Sequence, residues 1–468
     1  ALQPFELQTT AGNITLPELE LNDWSNLQNG IRTKGSIDLE LGELAAFLAD
    51  LLTLPDGTSV AGETTLTIDT DLSDAKQQFV KIDGTIEPFE LFLPDKKPLS
   101  EKSIQLMIDL NGNVSEQKFA FDKLELSSSP VSLNANGTIK TDKKEHILNA
   151  QGAMKLDLVA ISSYISSLSE LELEMTGATE KPFSIKATSL DGKWVEIPKR
   201  SEITTSFHAD TIRGFGLLVE SLEVPIKLAN GLAEVDIQGT VNKGKMSLQP
   251  TIDFSAEAPV ISIPENNLVL TGVGLSENMS RDLLAQLHPI FIGAAVSQGT
   301  FDLGLRHFKW PLAAAERKKA KFSSTITFNE VILRAGGLLT PLLEVMKMEE
   351  RELTIGDQPM ECIGENDRVR CSALEILVKD HSLMFTGSIG FDKSLDYIAQ
   401  IPVTQQMVGG DAFKYLEGTS ISVPIGGTVL KPSIRKDVVQ TALKDLIIQA
   451  GKKQITDQAG KLLQNLFK

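Results

Sequence analysis

Residues that carry chemistry are scarce in this chain. Its 468 residues hold five histidines, His146, His208, His288, His307 and His381, and each stands alone in the sequence. There is no Walker loop, no HExxH, no GxSxG and no GxGxxG at a strand-to-helix junction. Asp69, Asp71 and Asp74 faintly resemble a calcium loop, but Asp74 stands where such a loop needs Gly and Val80 where it needs Glu. The reading is therefore a protein that is not an enzyme, with no cofactor and no metal site.

Long apolar runs are missing as well. No stretch approaches the roughly 20 uncharged apolar residues that cross a bilayer. The best, Leu283 to Val296, is too short and holds His288 and Pro289. The chain opens at Ala1 without a signal-like segment, which reads as a mature or excised piece. Cations are in the minority, 45 Lys and Arg against 62 Asp and Glu, so the net charge of −17 disfavours nucleic acid as a partner. The segment from Arg435 onward departs from this, with seven Lys or Arg and three Asp.

Cysteine is limited to Cys362 and Cys371, in CIGENDRVRC. If the chain turns a hairpin around Asn366 and Asp367, the two face each other within cross-strand disulfide reach, which points to an oxidising compartment. The other reading is a pair of buried thiols in a reducing one. Zinc lacks further ligands.

What the chain has in quantity is alternation. Gly35 to Leu51 reads GSIDLELGELAAFLADL, and Gly152 to Leu168 reads GAMKLDLVAISSYISSL. In both, apolar and polar residues alternate for about three pairs and the period then switches to 3.6, the pattern of a strand feeding a short amphipathic helix. Further alternating pieces include TLTIDTDL (65–72), SIQLMIDL (103–110), FAFDKLELS (119–127) and SLMFTGSIGF (382–391). Helical periodicity marks 281–296, with a kink at Pro289, and LLTPLLEVMKM (338–348). A recurrent Gly-Ser/Thr-hydrophobic triplet, at Gly35, Gly84, Gly137, Gly239, Gly299, Gly387 and Gly427, suits tight entries into strands. The run AERKKAKF (315–322) reads as a solvated turn.

These patterns predict a mainly β fold. Its form is an elongated, twisted antiparallel sheet curled into an open half-pipe, with a few short amphipathic helices and a C-terminal helix. Four segments are expected: 1–198 and 199–310 as repeat parts of the groove, 311–434 as a third β segment, and 435–468 as a helical tail. One-faced strands outnumber the helices that could cover them. In a sandwich two such faces bury each other; in a half-pipe they leave an apolar trough that needs a ligand or partner. Candidate trough residues are Ile37, Leu39, Leu41, Leu66, Ile68, Ile104, Leu106, Ile108 and Leu110, all flexible aliphatics suited to acyl chains. In the tail, Val439, Leu443, Leu446 and Ala450, then Ile455, Ala459, Leu462 and Leu466, form a stripe that slips at Gly451, while Lys444, Lys453 and Lys461 occupy other faces. That pairing suits either docking on an anionic membrane or capping the last strand.

Three stretches carry a family resemblance: LLAQLHPIFIGAAVSQGTFDLGLRHFKWPL (283–312), SLMFTGSIGFDKSLDYIAQIPV (382–403) and SVPIGGTVLKPSIR (422–435). From about Leu270 to its end the chain resembles the C-terminal region of the AsmA-like and TamB-like envelope family. The resemblance implies a repeating β-groove with an apolar interior, in the periplasm of a diderm bacterium, as part of an inner-membrane-anchored or envelope-spanning protein. It also implies phospholipid as cargo, moved between inner and outer membranes, and it brings no catalytic residues. A β-rich structural or assembly factor for the envelope, with its apolar faces internally paired, is the alternative.

Overall fold

The computed structural model describes residues 4–21, 30–47, 57–94, 96–113, 116–142, 144–168, 172–190, 194–256, 258–265 and 267–466. Among them are 29 β-strands in antiparallel pairing and seven α-helices, the last of them the long helix Lys436–Leu466. The chain divides into two compact units. The first comprises Ala1–Gly214, Val219–Ile237 and Thr251–Glu257, and the second Phe215–Leu218, Gln238–Pro250 and Ala258–Lys468. The division thus falls inside the segment that the sequence sets at 199–310, where the chain alternates between units.

In the first unit the strands form a meander, each paired with its neighbours in the chain. Ile31–Glu40 pairs with Gly12–Leu21 and Ser59–Asp71, which pairs in turn with Gln78–Phe92. The series continues through Ile104–Asn113, Lys118–Ser127, Val131–Asp142, Glu145–Asp157 and Ala178–Leu190. Both strand-to-helix units are present, as α1 (Leu41–Phe47) after Ile31–Glu40 and α2 (Leu158–Leu168) after Glu145–Asp157. At the second, Asp157 accepts from the amides of Val159 (3.0 Å) and Ala160 (3.1 Å) and satisfies donors of the first turn.

α2 is tied down by a buried carboxylate. Glu101, 4 % exposed, accepts from the Tyr164 hydroxyl and from the Ser129 amide (2.9 Å) and hydroxyl (2.6 Å). A hydrogen bond to a carboxylate contributes about 1.5 to 3 kcal/mol. Tyr164→Phe is therefore expected to lower stability by about 1.5 kcal/mol and to speed amide exchange first in α2. Unaltered exchange there would show that the tether is idle.

The register of this ladder is written on its polar face. Glu18, Lys34, Asp69, Lys81, Asp109 and Lys123 lie opposite one another in turn on six successive strands, so charge alternates at every step. Lys34 approaches Asp69 to 3.4 Å and Lys81 approaches Asp109 to 3.3 Å. In the next row Arg32 lies 3.7 Å from Asp71. The Ser73 hydroxyl and amide, with Arg32 behind them, hold the Asp71 carboxyl below the ordinary carboxylate range. Asp74 accepts from the Lys76 amide, so each of the three calcium-like acids is engaged within the fold.

The recurrent glycines sit inside strands, which corrects their reading as strand entries. A Cβ on Gly35 would lie 2.2 Å from the Thr15 carbonyl, and one on Gly152 1.9 Å from that of Asn134. The glycine is needed where a neighbouring backbone approaches closely. Elsewhere an aromatic ring from the facing strand fills the space: Phe121 opposite Gly137, Phe119 opposite Gly112, Phe322 opposite Gly364 and Tyr397 opposite Gly387.

The second unit closes over its apolar face. One row there runs Leu305, Ser324, Cys362, Cys371, Gly387, Tyr397, Ile425 and Ile434. The hairpin register sets the two cysteines opposite each other and their sulfurs are bonded. Over the face lie Leu284, Ile290, Phe291, Leu339, Leu342 and Met346, all essentially inaccessible. They come from the helix Leu339–Val345 and from the segment 277–294. That segment is not the kinked helix expected at 281–296: it breaks into Glu277–Asp282, Leu284–Gln286 and Pro289–Phe291, and a strand begins at Ala295. Pro289 and the left-handed Gly293 (φ 71°) account for the breaks.

His288 is sealed in this core. Its ring packs edge-on against Tyr397 (5.0 Å between centroids) and Phe385 (6.2 Å), and its Nδ1 accepts from the Ile290 amide at 3.4 Å. Among the described residues neither His288 Nε2 nor the Tyr397 hydroxyl has a hydrogen-bond partner, and burial pushes the imidazole pKa down to about 3.

Candidate functional site

The apolar face of the first unit is where the expected trough residues meet. One row crosses nine strands: Leu7, Ile14, Ile37, Leu66, Gly84, Leu106, Leu126, Leu133 and Met154. Its neighbour holds Gly35, Ile68, Ile82, Ile108, Leu124 and Ala135. On either side lie Leu39 with Thr64, Ile86 and Ile104, and Thr70 with Val80, Leu110 and Phe121. Eight of the nine expected residues share this face. Leu41 does not, because the backbone has already turned into α1.

Exposure separates this face from a sandwich interior. Ile37, Leu39, Leu66, Ile68, Ile104, Leu106, Ile108 and Leu110 are all half-buried, whereas a covering sheet would bury such rows completely. In the second unit the matching positions Ile326, Phe328, Leu374, Ile376 and Leu383 are at most 4 % exposed. The difference lies in the helices, which among the described residues cover the second unit's face and leave these rows of the first half-exposed.

Sequence reasoning missed Ile14, Ile82, Ile86, Leu124, Leu126 and Leu133, although each lies in an alternating stretch. What was lacking was the register. The alternating charges from Glu18 to Lys123 narrow it, since few alignments place every Lys opposite an Asp or Glu.

The polar face carries two shallow hollows of about 580 and 820 Å³. Ser36, Thr67, Asp83 and Met107 flank the first in one row, and Lys34, Asp69, Lys81 and Asp109 in the next. Asn136, Gln151 and Ser184 in one row and Thr138, Asn149 and Lys186 in the next flank the second. Among the described residues no group of His, Cys, Asp and Glu has the arrangement to hold a metal ion.

Compared with protein-family models, curated proteins and solved structures, the chain gives no match in any of the three. The site is therefore read from its own geometry.

That geometry has a polar terminus. The long aliphatic row ends where Met154 faces Lys181, whose Nζ lies 3.2 Å from both Glu223 carboxylate oxygens. His208 stands between Glu223 (2.7 Å from Nδ1) and Asp210 (3.1 Å from Nε2). The cluster gives the row one charged end.

In the tail, Val439 and Ala450 are buried, and Leu443 and Leu446 are half-buried. This stripe faces the fold. The outward residues are Ile447 (44 % exposed) and Ile448 (56 %), with Lys444, Lys452 and Lys453 around them. The helix runs unbroken through Gly451. Lys461, Leu462 and Leu466 lie outside the residues whose side chains are described. No helix among the described residues is long and apolar enough to cross a membrane.

Proposed function

We propose that the bare apolar face of the first unit holds lipid acyl chains, and that the protein carries phospholipid between inner and outer membranes in the periplasm of a diderm bacterium. The observation that supports this best is the aliphatic row from Leu7 to Met154. At about 4.8 Å per strand it measures roughly 38 Å along the sheet, more than twice the ~15 Å acyl depth of one leaflet. A chain of about sixteen carbons leaves water with a gain on the order of 12 kcal/mol, at about 0.8 kcal/mol per CH₂. Flexible aliphatics facing such a chain offer it cover without fixing its position. The resemblance of the later part of the chain to the AsmA-like family, and a disulfide suited to an oxidising compartment, support the setting.

The covered face of the second unit favours a second reading, a β-rich assembly factor that carries no lipid. One experiment separates the two. Protein purified from a diderm envelope is expected to retain phospholipid in native mass spectrometry. Leu106→Asp with Ile108→Asp is expected to empty it, because a carboxylate set among apolar rows is left unsolvated. A dry wild-type protein would favour the assembly factor, and a folded double variant that keeps its lipid would show that the lipid lies off this face and overturn the reading.

A further inference from the structure

In the second unit, the connections at one end of the ladder are three tight turns and one longer loop that holds the short 3-10 helix Ala314–Lys319. They are 312–320, 366–367, 391–394 and 429–430, brought level by the pairings Lys309 to Lys321, Phe322 to Gly364, Arg368 to Gly390 and Ser394 to Thr428. At the opposite end the connections 275–294, 335–351 and 403–419 carry the covering helices. The helices therefore cover the apolar face from one side only.

Three features gather at the end away from these covering helices. Leu430 is 76 % exposed, the highest value among the exposed large hydrophobics, and Leu312 is 44 % exposed. With their flanking residues (312–321, 365–368, 391–394 and 428–431), the turns carry seven Lys or Arg against four Asp or Glu, the reverse of the chain as a whole. Arg317, Lys318, Lys321, Lys393 and Lys431 are all exposed. Just inside the rim, Phe308, Trp310, Phe322 and Phe391 form a half-buried aromatic cluster with centroids 5.6 to 6.4 Å apart.

A bulge directs two of those rings. In the strand Ala295–Pro311 the apolar side is held by Phe301, Leu303 and Leu305. His307 then takes a left-handed conformation (φ 52°) where the register shifts. Phe308 and Trp310 thereby continue the apolar side at even positions. Without the extra residue both rings would point to the polar side.

We infer that this rim is a docking surface for an anionic lipid bilayer, with Leu312 and Leu430 entering the headgroup region and the lysines and Arg317 facing phosphates. Exposed apolar tips, cations around them and aromatic rings one layer in match the chemistry of a membrane interface. The acid excess elsewhere would repel such a surface, so the basic rim also sets the orientation of approach. The inference stands apart from acyl-chain carriage, since it uses no residue of the first unit.

The test uses the full chain and vesicles of equal parts phosphatidylglycerol and phosphatidylcholine, with pure phosphatidylcholine vesicles alongside. Binding is expected only to the anionic vesicles and is expected to weaken from low to physiological salt. Leu312→Ser with Leu430→Ser, both exposed and so tolerated by the fold, should weaken it on the order of tenfold. Arg317→Glu with Lys318→Glu should abolish it. Ile447→Ser with Ile448→Ser on the terminal helix should leave it intact, and so should Leu106→Asp with Ile108→Asp. No binding at low salt, equal binding to both vesicles, or loss through the helix variant with the rim variants unaffected would each overturn the inference. Capture by an acidic polypeptide without vesicle binding would replace the bilayer with a protein partner and overturn it too.

Discussion

Lowering the pH from 6.5 towards 4 is expected to destabilise the second unit progressively, starting near 6.5. His288 is wholly buried, with a folded pKa of about 3 against 6.5 when free. A group that charges less readily in the fold contributes stability above its unfolded pKa and loses it as the pH falls towards the folded one. Here that window runs from 6.5 down to about 3, and its full depth is on the order of 5 kcal/mol. The carboxyls held low by hydrogen bonds, among them Asp71, Asp282 and Asp392, weaken the fold only further down. Denaturant titrations at several pH values between 7 and 4 read the effect. His288→Phe should remove most of the slope, because a phenyl ring keeps the contacts with Phe385 and Tyr397 and takes up no proton. A wild-type stability that is flat across this range would refute the assignment. The neighbouring Tyr397→Phe should raise stability at every pH, since it deletes a buried hydroxyl that has no partner.

Lys81→Glu is expected to cost about 2 kcal/mol, far more than a typical exposed substitution. It would place a new carboxylate between Asp69 and Asp109, so that three acids stand side by side on successive strands and two attractions become two repulsions. The loss should shrink in high salt. Adding Asp69→Lys and Asp109→Lys should bring no net rescue, because the two repulsions only move outward, to Lys34 and Lys123. If Lys81→Glu behaves as a neutral surface change, the charge row has no part in fixing the register.

Much of this fold was legible in the sequence because each strand of the first unit reports its own two faces. Alternation at Ile37 and Leu39, or at Leu106 and Ile108, needs no tertiary information, and the change of period after Glu40 and Asp157 marks where a strand gives way to a helix. The cysteine pair was legible for the same reason: a short hairpin fixes its own register. What stayed hidden depends on partners distant in the chain. Leu41 looks like a third alternating aliphatic after Ile37 and Leu39 until the backbone turns into α1. The bulge at His307 shifts the parity of its strand, so a strict period of two would misplace Phe308 and Trp310. The interior placement of Gly35 and Gly152 follows from carbonyls on other strands. The burial of Val439 needed the strand Ser420–Thr428 and the helix Gly410–Leu416, against which the terminal helix lies.

The meander has a consequence for how such a chain can change length. Apart from the short strand Leu99–Glu101, which pairs with the end of Gln78–Phe92, the described strands from Gln78 to Asp142 bond in series, so the hairpin from Ile104 to Ser127 is a removable pair. Excising it would bring Val131–Asp142 beside Gln78–Phe92 with opposite polarity kept, and with Leu133 falling into the row of Gly84. Excising a single strand would reverse the direction of everything downstream. Growth and shrinkage by whole hairpins is thus the permitted step, and the span of the apolar surface can be tuned in increments of two strands without redesigning either face.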